Sequence, residues 1–125
     1  MNMMNSLIIE GVVAGEPEIQ SMSAGGSVCT IPIAVTREYR NADGERSTEV
    51  SYLDVDAFGN LADICEKMCL KGRGLRVVGR LKQVRWKAEG KSHSKVKVIA
   101  EHVEFKPVKK GVKNEEGKLG IRDVQ

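Results

Sequence analysis

The chain has 125 residues, 20 of them basic and 17 acidic, for a net charge of +3, which allows one compact domain and a short tail. No stretch is long and apolar enough to cross a bilayer, and Met1-Asn2-Met3-Met4-Asn5-Ser6 lacks the basic and apolar regions of a signal peptide, so a cytoplasmic protein is expected. Three cysteines, an odd number without disulfide-like spacing, fit reduced thiols in a reducing compartment.

The apolar pattern first predicts a strand over Leu7 to Val13, interrupted by Glu10 and Gly11 and broken by Gly15-Glu16-Pro17-Glu18. Gly25-Gly26 marks a turn. Val28 to Thr36 follows as a second strand, with Cys29, Ile31, Ile33 and Val35 on a wholly apolar face. Pro32 within it predicts an edge or a bend. After the turn signal Asn41-Ala42-Asp43-Gly44, Glu49 to Phe58 reads as a third strand. Leu53, Val55 and Ala57 face inward, and Tyr52, Asp54, Asp56 and Phe58 face outward.

The period then changes. Over Asn60 to Leu70 a helical stripe of Leu61, Ile64, Cys65, Met68 and Cys69 emerges, with Asn60 suited to the N-cap and Gly72 to closing the end. Leu75 to Trp86 is a fourth strand. Leu75, Val77 and Leu81 share one face with Gly79, which permits tight coiling, and Arg76, Arg80, Lys82 and Trp86 share the other. Ala88-Glu89-Gly90-Lys91 forms the tip of a basic hairpin. The return strand, Lys95 to Phe105, alternates Val96, Val98 and Ala100 with Lys97, Ile99 and Glu101, and Phe105 is assigned to packing. From Pro107 onward the chain is polar and aperiodic, a composition expected of a flexible tail. The expected division is a folded domain over 1–106 and a disordered tail over 107–125.

Charge and aromatic placement point to a ligand. From Met1 to Leu70 four basic residues stand against eleven acidic ones; from Lys71 to Lys97 ten basic residues face only Glu89, around the single Trp. Four of the five aromatics, Tyr39, Tyr52, Phe58 and Trp86, fall on strand or strand-edge positions beside charged neighbours. Flat rings beside cations are what stacking of unpaired bases requires, while the charges follow the phosphates. Arg76, Arg80 and Lys87 join the candidate phosphate contacts because they belong to this basic hairpin.

Five strands with one helix between the third and fourth is the order of an all-β, five-stranded Greek-key OB-fold barrel. From about Asn5 to Pro107 the chain resembles the bacterial-type single-stranded DNA-binding proteins. The matching segments are Gly15-Glu16-Pro17-Glu18, Gly25-Gly26-Ser27-Val28 with Ile33-Ala34-Val35, and Phe58-Gly59-Asn60-Leu61-Ala62. Lys71-Gly72, Val77-Val78-Gly79-Arg80-Leu81 and Arg85-Trp86 complete the pattern in order. The resemblance implies base stacking by Tyr39, Tyr52, Phe58 and Trp86, and phosphate contacts by Lys71, Lys82 and Arg85. It also implies a nucleoid-associated homo-oligomer, a tetramer or a dimer, that coats single-stranded DNA during replication, recombination and repair without catalysis. The chain departs from the family pattern in three places. Tyr39 and Tyr52 stand where tryptophans are common. Asp54, with Asp56 after it, replaces a frequent basic residue and is expected to repel phosphates. The acidic tip through which the family recruits replication and repair proteins is absent from Gly120-Ile121-Arg122-Asp123-Val124-Gln125.

Other readings of the same residues stay open. The aromatics could pack at a subunit interface, Trp86 could be a rim residue covered by lysine stems, and the barrel could serve as a protein-interaction module or as a weak or RNA-preferring paralogue. His93 and His102 read as a loop and a strand residue without chemistry. Neither Cys65/Cys69 nor Asp54/Asp56 finds the further ligands or base that a metal site or nuclease needs, so no metal, no cofactor and no enzymatic activity are expected.

Overall fold

In a computed structural model of the chain, the residues described are 1–107; the tail expected beyond Pro107 falls almost wholly outside them. Six strands and one helix follow in order: β1 (Leu7–Val13), β2 (Glu18–Ser21), β3 (Ser27–Arg40), β4 (Arg46–Phe58), α1 (Asn60–Met68), β5 (Gly74–Ala88) and β6 (Lys91–Phe105). The sheet runs β1-β5-β6-β4-β3-β2, and an added pairing of β1 with β3 through Val12 and Val13 closes five of the strands into a barrel. This is the OB-fold expected, with the helix between the third and fourth barrel strands. The short β2 is an addition to that expectation. It hangs on β3 alone, and with four residues after Pro17 it has too little alternation to show in the sequence. Pro32 sits on β3 between the stretch paired with β2 and the stretch paired with β1, a changeover that suits a residue unable to donate to a ladder.

The inward faces meet in one core. Ile31, Ile33, Val55, Leu75, Val77 and Val98 are all but fully buried, and Phe105 packs against them. Burial of each such side chain contributes about 1.5–3 kcal/mol. At Gly79 β6 passes too close to β5 for a side chain: a Cβ there would stand 2.0 Å from the Ile99 carbonyl oxygen. The β5–β6 register shifts at the same place, leaving Glu101 as the extra residue of a bulge that bends the pair around the barrel.

Four local expectations are corrected. The buried side of α1 keeps Leu61, Cys65 and Cys69 of the expected stripe and adds Ala62, whereas Ile64 and Met68 are exposed, because the barrel covers only one edge of that stripe. Gly59, not Asn60, precedes the helix. Its carbonyl accepts the N–H groups of Ala62 and Asp63, and no side chain caps them. The helix ends at Met68, so Gly72 does not close it but turns the chain into β5 and donates its N–H to Val13. Leu81 is exposed rather than inward, as is Val96, because β5 and β6 have by then left the barrel.

All three cysteines lie in the core with free thiols. Burial pushes the Cys29 thiol up to about 11, and a hydrogen bond with Cys65 together with burial pushes Cys69 up as well. Both are wholly buried, in the apolar surroundings of structural cysteines. Among the described residues no cluster of three or more His, Cys, Asp and Glu could hold a metal ion, and no helix is long and apolar enough to cross a membrane.

Candidate nucleic-acid interface

The parallel contact between β4 and β6 is confined to Val55 opposite Val98 and Asp56 opposite Ile99. Past that seam, and past the β1 contact at Ile33 and Ala34, each hairpin continues alone as a two-stranded ribbon, β3–β4 out to Arg40 and Arg46, β5–β6 out to Ala88 and Lys91. With no third layer to pack on, nearly every side chain of these two arms is exposed. The second arm ends in a two-residue turn in which Glu89 and Gly90 take positive φ values of 55° and 77°, the tight loop whose twist matches a hairpin.

All four predicted stacking residues are exposed: Tyr52 at 74 %, Trp86 at 46 %, Phe58 at 40 % and Tyr39 at 37 %. Directly opposed residues of a ladder point to the same face. Tyr52, Asp54, Asp56 and Phe58 alternate with the buried Val55 and Ala57 and share the outer face of β4. Ion pairs tie Asp54 to Lys95 and Asp56 to Lys97, and on β5 Lys82 stands opposite Lys97 and Trp86 opposite His93. Tyr52, Phe58, Trp86 and Lys82 thus belong to one continuous outer face. Tyr39 does not. It has the parity of the inward Ile31 and Ile33 and pairs with Ser47, so it emerges on the other side of the β3–β4 ribbon, with the Arg37 guanidinium 5.0 Å from its ring centroid.

The basic candidates divide by their partners. Arg76 is clamped between Glu10, at 2.7 Å, and Glu104, at 3.2 Å, and Arg80 lies 3.6 Å from Glu101. Lys106 and Arg76 together hold the Glu10 carboxyl below the usual carboxylate range, and Glu10 raises the Arg76 guanidinium in return. Lys71, Lys82, Arg85 and Lys87 have no carboxylate partner among the described residues. Arg85 donates to the Gln83 side chain at 2.9 Å, and by alternation it and Lys87 face away from Trp86. Lys71 is remote from the arms: it follows α1, beside Glu16 and Glu66, at the opposite end of β5 from Trp86.

Two sequence readings change here. Asp54 and Asp56 are not bare charges that repel phosphates. Lys95 neutralises the first, and Lys97 at 2.7 Å with the Thr30 hydroxyl donating at 2.7 Å satisfies the second, which is buried at 8 % exposure. The matching Asp-x-Asp and Lys-x-Lys periods were the available signal, but their pairing depends on a seam between strands distant in sequence. His93 is not a loop residue. It lies in β6 with its ring stacked on Trp86, centroids 5.5 Å apart and planes 19° from parallel. A two-residue turn at Glu89-Gly90 implies that pairing, because it sets His93 across from Trp86. His102 lies in β6 as expected, with Nε2 3.2 Å from Glu104.

Residues 4–106 match the model of the Single-strand binding protein family. The chain is 39 % identical over 101 residues to a single-stranded DNA-binding protein of Aquifex aeolicus, covering 81 % of this chain and 69 % of that one. It is 31 % identical over 101 residues to the counterpart from Treponema pallidum, covering 81 % and 57 %. Against single-stranded DNA-binding protein 2 of Chlorobaculum tepidum it is 32 % identical over 117 residues, covering 90 % and 79 %. The chain thus spans little more than half the length of some curated relatives. Among solved structures, the Plasmodium falciparum single-strand binding protein in complex with single-stranded DNA superposes with a TM-score of 0.76 at 22 % identity, covering 84 % of this chain and 96 % of that one. The small single-stranded DNA-binding protein of Streptomyces coelicolor gives 0.68 at 23 % identity, covering 85 % and 96 %. These two likenesses support the barrel fold. With the family match running from β1 to the end of β6, the chain belongs to the Single-strand binding protein family.

Proposed function

We propose that this protein binds and protects single-stranded DNA, without catalysing a reaction, by stacking bases on Tyr52, Phe58 and Trp86 and holding phosphates with cations of the β5–β6 arm. The observation that carries this reading is the outer face itself: three exposed rings and Lys82, which has no carboxylate partner among the described residues, lie together on a continuous sheet surface of a family member. Tyr39, on the far side of its ribbon, receives a base only from a strand that passes around that arm. Lys82 holds phosphates on the ring face, with Lys91 added at the hairpin tip; Arg85 and Lys87, on the opposite face of the arm, hold them where the strand passes around its edge, and Lys71 marks a separate contact at the other end of β5. Arg76 and Arg80, engaged by carboxylates, belong to the barrel wall.

Stacking contributes about 1–3 kcal/mol per base. The log of affinity should fall with log salt by about 0.7 per phosphate, or roughly 3 for four cations. Action in replication, recombination and repair, a cytoplasmic location and assembly into a homotetramer or dimer belong to the same proposal, supported by the family match. The test is titration of Trp86 fluorescence with oligo-dT and oligo-U at two salt concentrations. Quenching that weakens with salt is expected, and the dT to U ratio chooses DNA or RNA. A lack of quenching at low salt would instead favour a barrel whose aromatic face meets a protein.

A further inference from the structure

We propose that His93 is a positioning residue of this face, the ring that backs Trp86 and fixes the indole on which a base stacks. The inference rests on the single-strand reading of the face and concerns how that face holds a base. The imidazole and indole are opposed across the β5–β6 ladder, at a separation and tilt within the stacked range of aromatic pairs. The nearest same-face neighbours are Val84 and Ala88 on β5 and Lys91 and Lys95 on β6, so no other ring touches either member of the pair. The stack covers one face of the indole and leaves Trp86 half exposed on the other.

A base therefore stacks on one side of Trp86 only. It meets an indole already fixed in orientation by the ring behind it, which lowers the ordering cost of binding. The other arm uses the same device with a different group: the Arg37 guanidinium covers one face of Tyr39. His93 differs from Arg37 in that no carboxylate among the described residues engages it, whereas Arg37 lies 3.9 Å from Glu49.

The experiment measures short oligo-dT binding to the full chain and to His93→Ala, His93→Tyr and His93→Lys, with denaturation midpoints recorded for each. Loss of the ring in His93→Ala should weaken binding about fivefold without changing the salt slope. His93→Tyr should restore it, and His93→Lys, which adds charge but no ring, should not. In a Trp86→Ala background, His93→Ala should cost little more, the non-additivity of two groups acting as one. Equal affinity of His93→Ala and wild type overturns the assignment. So does tighter binding by His93→Ala, which would make the imidazole a plug occupying the base's place, or equal rescue by Lys and Tyr. If the wild-type chain itself binds no oligo-dT at low salt, the single-strand reading falls and this assignment with it; if wild type binds and His93→Ala matches it, only the assignment falls.

Discussion

Strands β5 and β6 pass through two environments and change character between them. In the barrel wall, Leu75, Val77, Val98 and Ala100 are buried, and the cations on the outside, Arg76, Arg80 and Lys97, each hold a carboxylate. In the arm nearly every side chain is exposed, and Lys82, Lys87 and Lys91 hold none among the described residues. One pair of strands thus uses its cations to stitch neighbouring strands where a core exists, and leaves them available where none does. The Asp54–Lys95 pair sits at the border. The difference teaches that basic content alone does not mark a binding surface; the supply of nearby carboxylates decides which cations remain for phosphates.

If wall and arm are separate in this sense, stability and binding should respond to different substitutions. Ile31→Ala, in the wall, should cost about 2–5 kcal/mol in denaturant unfolding, while the protein that remains folded binds oligo-dT as before. A cost below about 1 kcal/mol would show that the barrel is not the stabilising unit. Trp86→Ala, in the arm, should remove about 1–3 kcal/mol of binding and leave the unfolding midpoint in place; unchanged affinity would take Trp86 out of the site.

At the border, Asp54→Lys should free Lys95 and add a cation, tightening binding and steepening the salt slope by about 0.7 for each phosphate gained. If neither changes, the strand does not pass over β4. The smallest effect should come from Glu10→Gln in the wall. The Glu10 carboxyl is held low by Lys106 and Arg76, so its stabilisation is present above the unfolded carboxylate value of about 4.3 and is lost as pH falls through the lower folded value. Glu10→Gln should therefore be slightly less stable than wild type at neutral pH and indistinguishable from it in acid, by thermal melts across pH; because the group is exposed, salt should shrink the gap.

The barrel was legible because its strands alternate cleanly: Cys29 to Val35 and Leu53 to Ala57 announce their buried faces by period alone. The exposed positions of Tyr52 and Phe58 were legible for the same reason, with Asp54 and Asp56 on the alternate residues between them, and Trp86 was legible from Arg85 and Lys87 on either side of it. What escaped depends on three-dimensional register. The pairing of Asp54 and Asp56 with Lys95 and Lys97 crosses the β4–β6 seam, about forty residues apart in sequence, as in the Asp54–Lys95 contact at a separation of 41. Leu81 carries the inward parity of β5, yet lies beyond the point where the barrel ends, and no local signal records where that happens. Tyr39 has charged sequence neighbours like the other rings, but the pleat puts it on the opposite side of its ribbon.

The barrel closes through β1, whose long partner is β5: Glu10 meets Arg76, 66 residues later in the chain. During synthesis at about 5–20 residues per second, β1 therefore leaves the ribosome roughly 3–13 s before the strand that will cover it. Over that interval Leu7, Ile8 and Ile9 have no sheet to join beyond the short contact of Val12 and Val13 with β3. The nascent chain must carry an unpaired apolar strand until β5 has been made, about three quarters of the way through the domain, so the newborn protein depends on holding or delay rather than on early local folding, and its yield should be sensitive to the speed of translation.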